Sequence, residues 1–140
     1  MQIKTSELQG AALDWAVAKC MTGGELFQSG RVAHAVVLHS VAGTVAPYFI
    51  NHNGVIRCAF EPSTDWAQGG PIIEREGISI VRDEKDLCWQ AVIDCHSGSM
   101  FGPNLCGSFW HESPTPLIAA MRCYVASKLG PEVDVPEELK

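Results

Sequence analysis

Residues 115–130 read TPLIAAMRCYVASKLG, and this stretch decides the fold class. Thr115 offers a side-chain oxygen suited to capping a helix start. Pro116 follows at the first helical position, where a missing N–H costs nothing. Leu117, Ile118, Met121, Tyr124 and Val125 then fall on one helical face, and Gly130-Pro131 stops the run. The stretch predicts a C-terminal amphipathic helix that must bury its apolar face against something else.

A second helix is predicted near the N-terminus. Thr5 or Ser6 is expected to cap it, with Glu7 favourable in its first turn. Leu13, Ala16, Val17 and Cys20 follow helical spacing, Gly10 divides a first short turn from the main run, and Thr22-Gly23-Gly24 ends it. Between the helices the chain reads as strands. Residues 32–38 and 45–50 are apolar and β-branched, with Pro47 arguing for an edge position in the second. Asn51-His52-Asn53-Gly54 is a turn, which makes 55–60 the returning arm of a hairpin. Residues 78–81 and 89–95 are two more strands, separated by the polar 82–86. Residues 97–108 are rich in Gly, Ser, Pro and Asn and read as a loop. The expected fold is α+β: one antiparallel sheet of about four to five strands, with the N-terminal and C-terminal helices packed on one face. Residues 1–130 form the single expected domain, and residues 131–140 an acidic, frayed tail.

Composition narrows the function. The 140 residues are 46 % hydrophobic and 19 % charged, the range of a folded globular chain. The net charge is −6. The Lys and Arg residues are scattered: Arg75 lies between Glu74 and Glu76, and Lys85 between Glu84 and Asp86. Without a basic stripe, nucleic acid is not an expected partner. Nor is a membrane, because the most apolar stretch, 32–41, is too short to span one and contains His34 and His39. The first residues lead into no signal-like run, so a cytoplasmic location is expected and the six cysteines are expected to be reduced. Cys95, His96 and Cys106 lack zinc-type spacing, and no metal or cofactor is expected.

Residues 63–76 (STDWAQGGPIIERE) concentrate chemistry. Ser63, Asp65, Trp66, Gln68 and Glu74 gather around Gly69-Gly70, read as a loop whose glycines let a ligand approach the backbone. Trp66 is suited to stacking on a planar ring, and the polar side chains to fixing its hydrogen-bonding edge. The structural reading stands beside it: Asp65 caps a turn, Trp66 fills the core, and Gln68-Gly69-Gly70 is a hairpin loop. Thr115 is the second candidate, since a helix start suits an anion, although Pro116 removes one donor. His111-Glu112 is a conceivable acid–base dyad, but no nucleophile or third member accompanies it. No P-loop, dinucleotide fingerprint, G-x-S-x-G or H-E-x-x-H occurs.

Three segments carry a resemblance. They are TSEL with ALDWAVAK near the N-terminus, PSTDWAQGGPIIERE at 62–76, and PTPLIAAMR with the 124–130 run. Together these resemble the NinX-like family of small phage proteins. The resemblance implies a phage or prophage origin and action inside a bacterial host cell, and it implies no catalytic residues. The expectation is a phage accessory protein that binds a host-derived small molecule, nucleotide-like, without catalysis. The alternative is a module that masks or inhibits a host protein, and a small hydrolase is the least favoured reading. Self-association is left open.

Overall fold

In a computed structural model, residues 1–21, 35–50, 53–93 and 109–139 are described. In chain order the elements are β1 (Gln2–Lys4), a 3-10 turn (Thr5–Glu7), α1 (Gly10–Met21), β2 (Ala35–Val41), β3 (Thr44–Ile50), β4 (Ile56–Ala59), α2 (Trp66–Glu76), β5 (Ser79–Asp83), β6 (Cys88–Ile93), β7 (Phe109–Ser113), α3 (Pro116–Leu129), β8 (Glu132–Asp134) and a closing 3-10 turn (Glu137–Leu139). The helix stop at Thr22-Gly23-Gly24, residues 32–34, Asn51 and His52 of the expected turn, Asp94 and Cys95, and the loop at 97–108 lie outside the described residues.

The α+β class holds, but the single sheet does not. Three small antiparallel sheets form instead: β1-β8, β2-β3-β4 and β5-β6-β7. α2, a helix of 11 residues, stands in the chain between β4, the last strand of the first three-stranded sheet, and β5, the first strand of the second. Each three-stranded sheet pairs strands that follow one another in the chain, antiparallel throughout. β2 and β3 turn through Ala42 and Gly43, both at positive φ (51° and 84°), as a tight two-residue connection requires. The predicted hairpin of 45–50 with 55–60 is present, with a bulge between Phe49 and Ile50. Asp83 closes the β5–β6 turn by accepting the Lys85 backbone N–H at 2.8 Å.

Pro47 corrects a second expectation. It lies in β3, the central strand of its sheet, and pairs with Leu38 of β2. It is tolerated because its own carbonyl accepts from the Phe60 N–H at 2.9 Å, one residue past the end of β4. The missing proline donor therefore faces the point where that ladder stops.

α3 is the centre of the molecule. It packs on β5, β6 and β7, on α1, and on α2. Thr115 caps it as predicted, its hydroxyl accepting from the Ile118 N–H at 3.3 Å, with Pro116 in the first turn. Burial goes beyond the single stripe expected: Ala119, Ala120, Met121, Cys123, Tyr124, Val125 and Ala126 are all buried. A helix apolar nearly all round belongs in a core, and this one has neighbours on several sides. α1 packs between α3 and β3, burying Leu13, Trp15, Ala16 and Val17. The two helices therefore do not share one face of one sheet.

Both chain ends depart from expectation. Thr5 caps no helix: its hydroxyl donates to the Gly130 carbonyl at 2.7 Å, and its N–H donates to Pro131 O at 2.8 Å. The tail is no frayed segment, since β8 pairs with β1 in register Ile3↔Val133. The Met1 ammonium meets Asp134 Oδ1 at 2.7 Å. Val133, Val135 and Leu139 are buried, each worth roughly 1.5–3 kcal/mol on full burial. The acidic composition of the tail hid a short alternation, with Val133 and Val135 inward and Glu132 and Asp134 outward.

Candidate functional site

The segment read as a loop is largely helical, and this reorganises every residue in it. Asp65 has extended dihedrals and accepts from the Ala67 N–H at 2.9 Å, the arrangement of an N-cap. Gly77, at φ 64°, ends α2, and Ile78 N–H returns to Ile73 O at 3.0 Å. Pro71 sits inside the helix and removes the bond to Ala67 O. Ala67 and Pro71 are both exposed, so water can take up that carbonyl.

The predicted site residues divide by face. Ser63 is 1 % exposed, and its N–H donates to Asp14 Oδ1 at 2.8 Å. Gln68 spends both ends of its amide on backbone: Nε2 donates to Ala59 O at 3.0 Å, and Oε1 accepts from Glu61 N–H at 2.9 Å. Gly69 is a close-approach residue, because a Cβ there would collide with the Pro62 carbonyl oxygen and stand 2.6 Å from Leu117 Cδ2. These residues tie α2 to α1, to the end of β4 and to the start of α3.

The other residues face outward. Trp66 is 55 % exposed. Ala67, Pro71 and Glu74 are exposed, and Gly70 is half-buried with open space where its Cβ would be. Trp66, Gly70 and Glu74, like Ala67 and Pro71, recur at four-residue spacing and so share one side of the helix. Thr115 is exposed at the head of α3, with its hydroxyl engaged in the cap. The structure thus brings Trp66, Gly70 and Glu74 onto one surface and turns Ser63, Gln68 and Gly69 away from it.

The C-terminal end of α2 is fastened to α3. Glu76 bridges Arg75 Nε at 3.0 Å and Lys128 Nζ at 3.3 Å, and Arg75 Nη2 donates to the Tyr124 hydroxyl at 3.4 Å. Arg122 links α3 to both flanking segments, donating to Leu8 O at 2.7 Å and Glu112 O at 3.1 Å. Inside, the carboxyl of Asp14 is pushed up to about 6 by burial, against the pull of the Ser63 N–H and hydroxyl. The Ser63 hydroxyl faces that carboxylate without completing a hydrogen bond of regular geometry. Asp14 carried no signal as a lone acid in an apolar helix. Ala67 and Pro71 become visible only once 66–76 is read as a helix.

Cys20, Cys58 and Cys88 are in no disulfide, and burial raises Cys20 to about 12, far from a thiolate at neutral pH. Cys106 and Cys95 lie outside the described residues. Among the described residues no group of three His, Cys, Asp or Glu side chains is placed to hold a metal. No helix among them is long and apolar enough to cross a membrane.

The family model for NinX of bacteriophage P22 matches residues 4–128. The chain belongs to the phage NinX family. The match takes in α1, α2 and all but the last residue of α3, including the whole outward face of α2. β8 and the closing turn of this NinX-family chain fall beyond it. No curated protein matches the chain.

Proposed function

We propose that this phage protein works by binding, and that its contact surface is the outer face of α2, docked against a host protein through Trp66. The observation that carries this is Trp66 itself: a large aromatic, 55 % exposed, on a helix whose opposite side is firmly tied down. Small neighbours, Ala67, Gly70 and Pro71, leave the ring standing proud of a smooth surface. A partner can close over such a ring and exclude water at little cost in side-chain entropy. Glu74 at the far end favours a partner with a cation opposite it.

The geometry supports this alternative over a nucleotide stacked on Trp66. The edge-reading amide that such a ligand needs, Gln68, is engaged with the backbone at Ala59 and Glu61. Binding also fits the rest of the site better than hydrolysis, which needs an activated nucleophile beside a base.

The test is a photo-crosslinking side chain placed at exposed position 67 of the full chain, expressed in bacterial cells. The expected result is one discrete host-protein adduct that Trp66→Ala removes. An adduct unchanged by Trp66→Ala, or none at all, sinks the proposal.

A further inference from the structure

A cleft of about 560 Å³ opens on a different part of the molecule. It lies between the N-terminal turn and start of α1, the β2–β3 turn, and the closing 3-10 turn. Its walls include Ile3, Leu8, Val45 and Leu139, and Leu8 and Leu139 are core residues. Its volume falls within the roughly 300–1,000 Å³ of small-molecule sites. Among the described residues the only ionisable side chains in the lining are Glu7 and Glu138, brought together from the two ends of the described chain.

We infer that this cleft is a binding site for a small organic cation, an ammonium or guanidinium group on a short apolar body. The lining is mixed: Ile3, Ala11, Ala12 and Val45 offer aliphatic surface for the body, beside Gln9 and Thr44, and the two carboxylates take the charge. Two opposing contributions are present and smaller. Lys4 approaches Glu7 at 3.9 Å, but both side chains are about two-thirds exposed, at 66 % and 64 %, and the pair is screened by water. The start of α1 reaches the cleft through Ala11 and Ala12 with roughly half a positive charge, against two full negative ones. An anion of the same size would meet both carboxylates and, among the described residues of the lining, no lysine or arginine. The site is independent of the Trp66 surface, so either proposal can fail without the other.

The experiment is an NMR titration of the full-length chain with three probes of equal length: hexylammonium, hexanol and hexanoate. Hexylammonium is expected to bind at least about tenfold more tightly than the other two, with saturable shifts at the amides of Leu8, Val45 and Leu139. The Glu7→Gln/Glu138→Gln double variant, changed only at exposed positions, is expected to lose about tenfold in hexylammonium affinity while melting normally. Ala11→Phe, which fills the cleft, should abolish the shifts. If it fails to fold, the double variant still decides. Equal binding of hexanol, preference for hexanoate, shifts that map elsewhere, or no saturable binding each overturns the inference.

Discussion

α3 and α2 lie against each other, yet the same residue types mean different things in them. α3 is buried nearly all round, and its side chains answer to packing on every side. α2 has a tied side and a bare side. On the tied side stand Gln68 and Gly69, with Ser63 just before the helix, which by chemical type look functional. On the bare side stand Ala67 and Pro71, which by chemical type look inert, around one exposed tryptophan. A hydroxyl, an amide or a glycine near a candidate site therefore says little until the face it occupies is known. Four sets of substitutions break or sharpen this contrast.

The largest effect belongs to α3. Met121 is fully buried at its centre. Met121→Ala should cost about 2–5 kcal/mol of unfolding free energy, measured by urea denaturation, from lost transfer energy plus the cavity left behind. A loss under about 1 kcal/mol would mean that α3 is not the hub that its burial indicates.

Asp14 probes the anchor from α1 to the approach of α2. Its folded pKa of about 6 lies above the ordinary value of 3.8, so folding favours the protonated form. That contribution is fully present below pH 3.8 and is lost as pH rises through about 6. With about 1.4 kcal/mol per pKa unit, the span is up to about 3 kcal/mol. Asp14→Asn should flatten this part of the stability–pH curve while its amide oxygen still accepts from Ser63 N–H. A variant with the same slope between pH 4 and 6 as the parent would remove Asp14 as the source.

The glycine pair separates the two sides of α2 directly. Gly69→Ala drives a methyl group into Pro62 O and Leu117, and the backbone oxygen cannot swing away. It should destabilise by about 1–3 kcal/mol. Gly70→Ala meets nothing beyond its own chain neighbours, but Pro71 follows it, and the proline ring crowds a Cβ on the preceding helical residue. That crowding offsets the gain in helix propensity, so the change should stay within about 0.5 kcal/mol of the parent. Parallel denaturation curves check the difference. Equal losses at the two positions would mean that α2 does not sit against Pro62 and Leu117 as described.

The same pair explains what was legible. Residues 115–130 announced α3 because cap, proline, apolar spacing and terminating glycine all agreed. The β3–β4 hairpin was readable from its Asn53-Gly54 turn, and β5 and β6 as two strands on either side of a polar stretch, whose pairing the sequence left unstated. α2 was hidden because Gly69, Gly70 and Pro71 each weaken a helix by about 1 kcal/mol or more, so local propensity pointed to a loop. What overrode it is tertiary: Gly69 allows the close approach that docks the helix on Pro62 and Leu117. Its boundary signals, Asp65 and Gly77, were present all along. β8 was masked by its acidic setting, and Pro47 misled because a strand centre can hold proline where its neighbour's ladder ends. Trp66 stood out in the sequence as a large aromatic in a polar stretch. Which polar groups accompany it depended on a helical phase that the loop reading could not supply.

Trp66 should show the smallest stability effect. Its ring is 55 % exposed at the first position of α2, so truncation removes only part of its packing and leaves a residue that favours helix. Trp66→Ala should change stability by less than about 1 kcal/mol. On the proposed contact the same change should cost on the order of 2–4 kcal/mol, the loss typical of a central aromatic anchor, read as disappearance of the crosslinked adduct. Glu74→Ala, on the same face and without a packing role, should weaken the contact more mildly and make it less sensitive to salt. The separation between the stability loss and the binding loss is what distinguishes an anchor from a core residue. A stability loss above about 2 kcal/mol would place the ring among the structural residues of α2 and leave its outer face without an anchor.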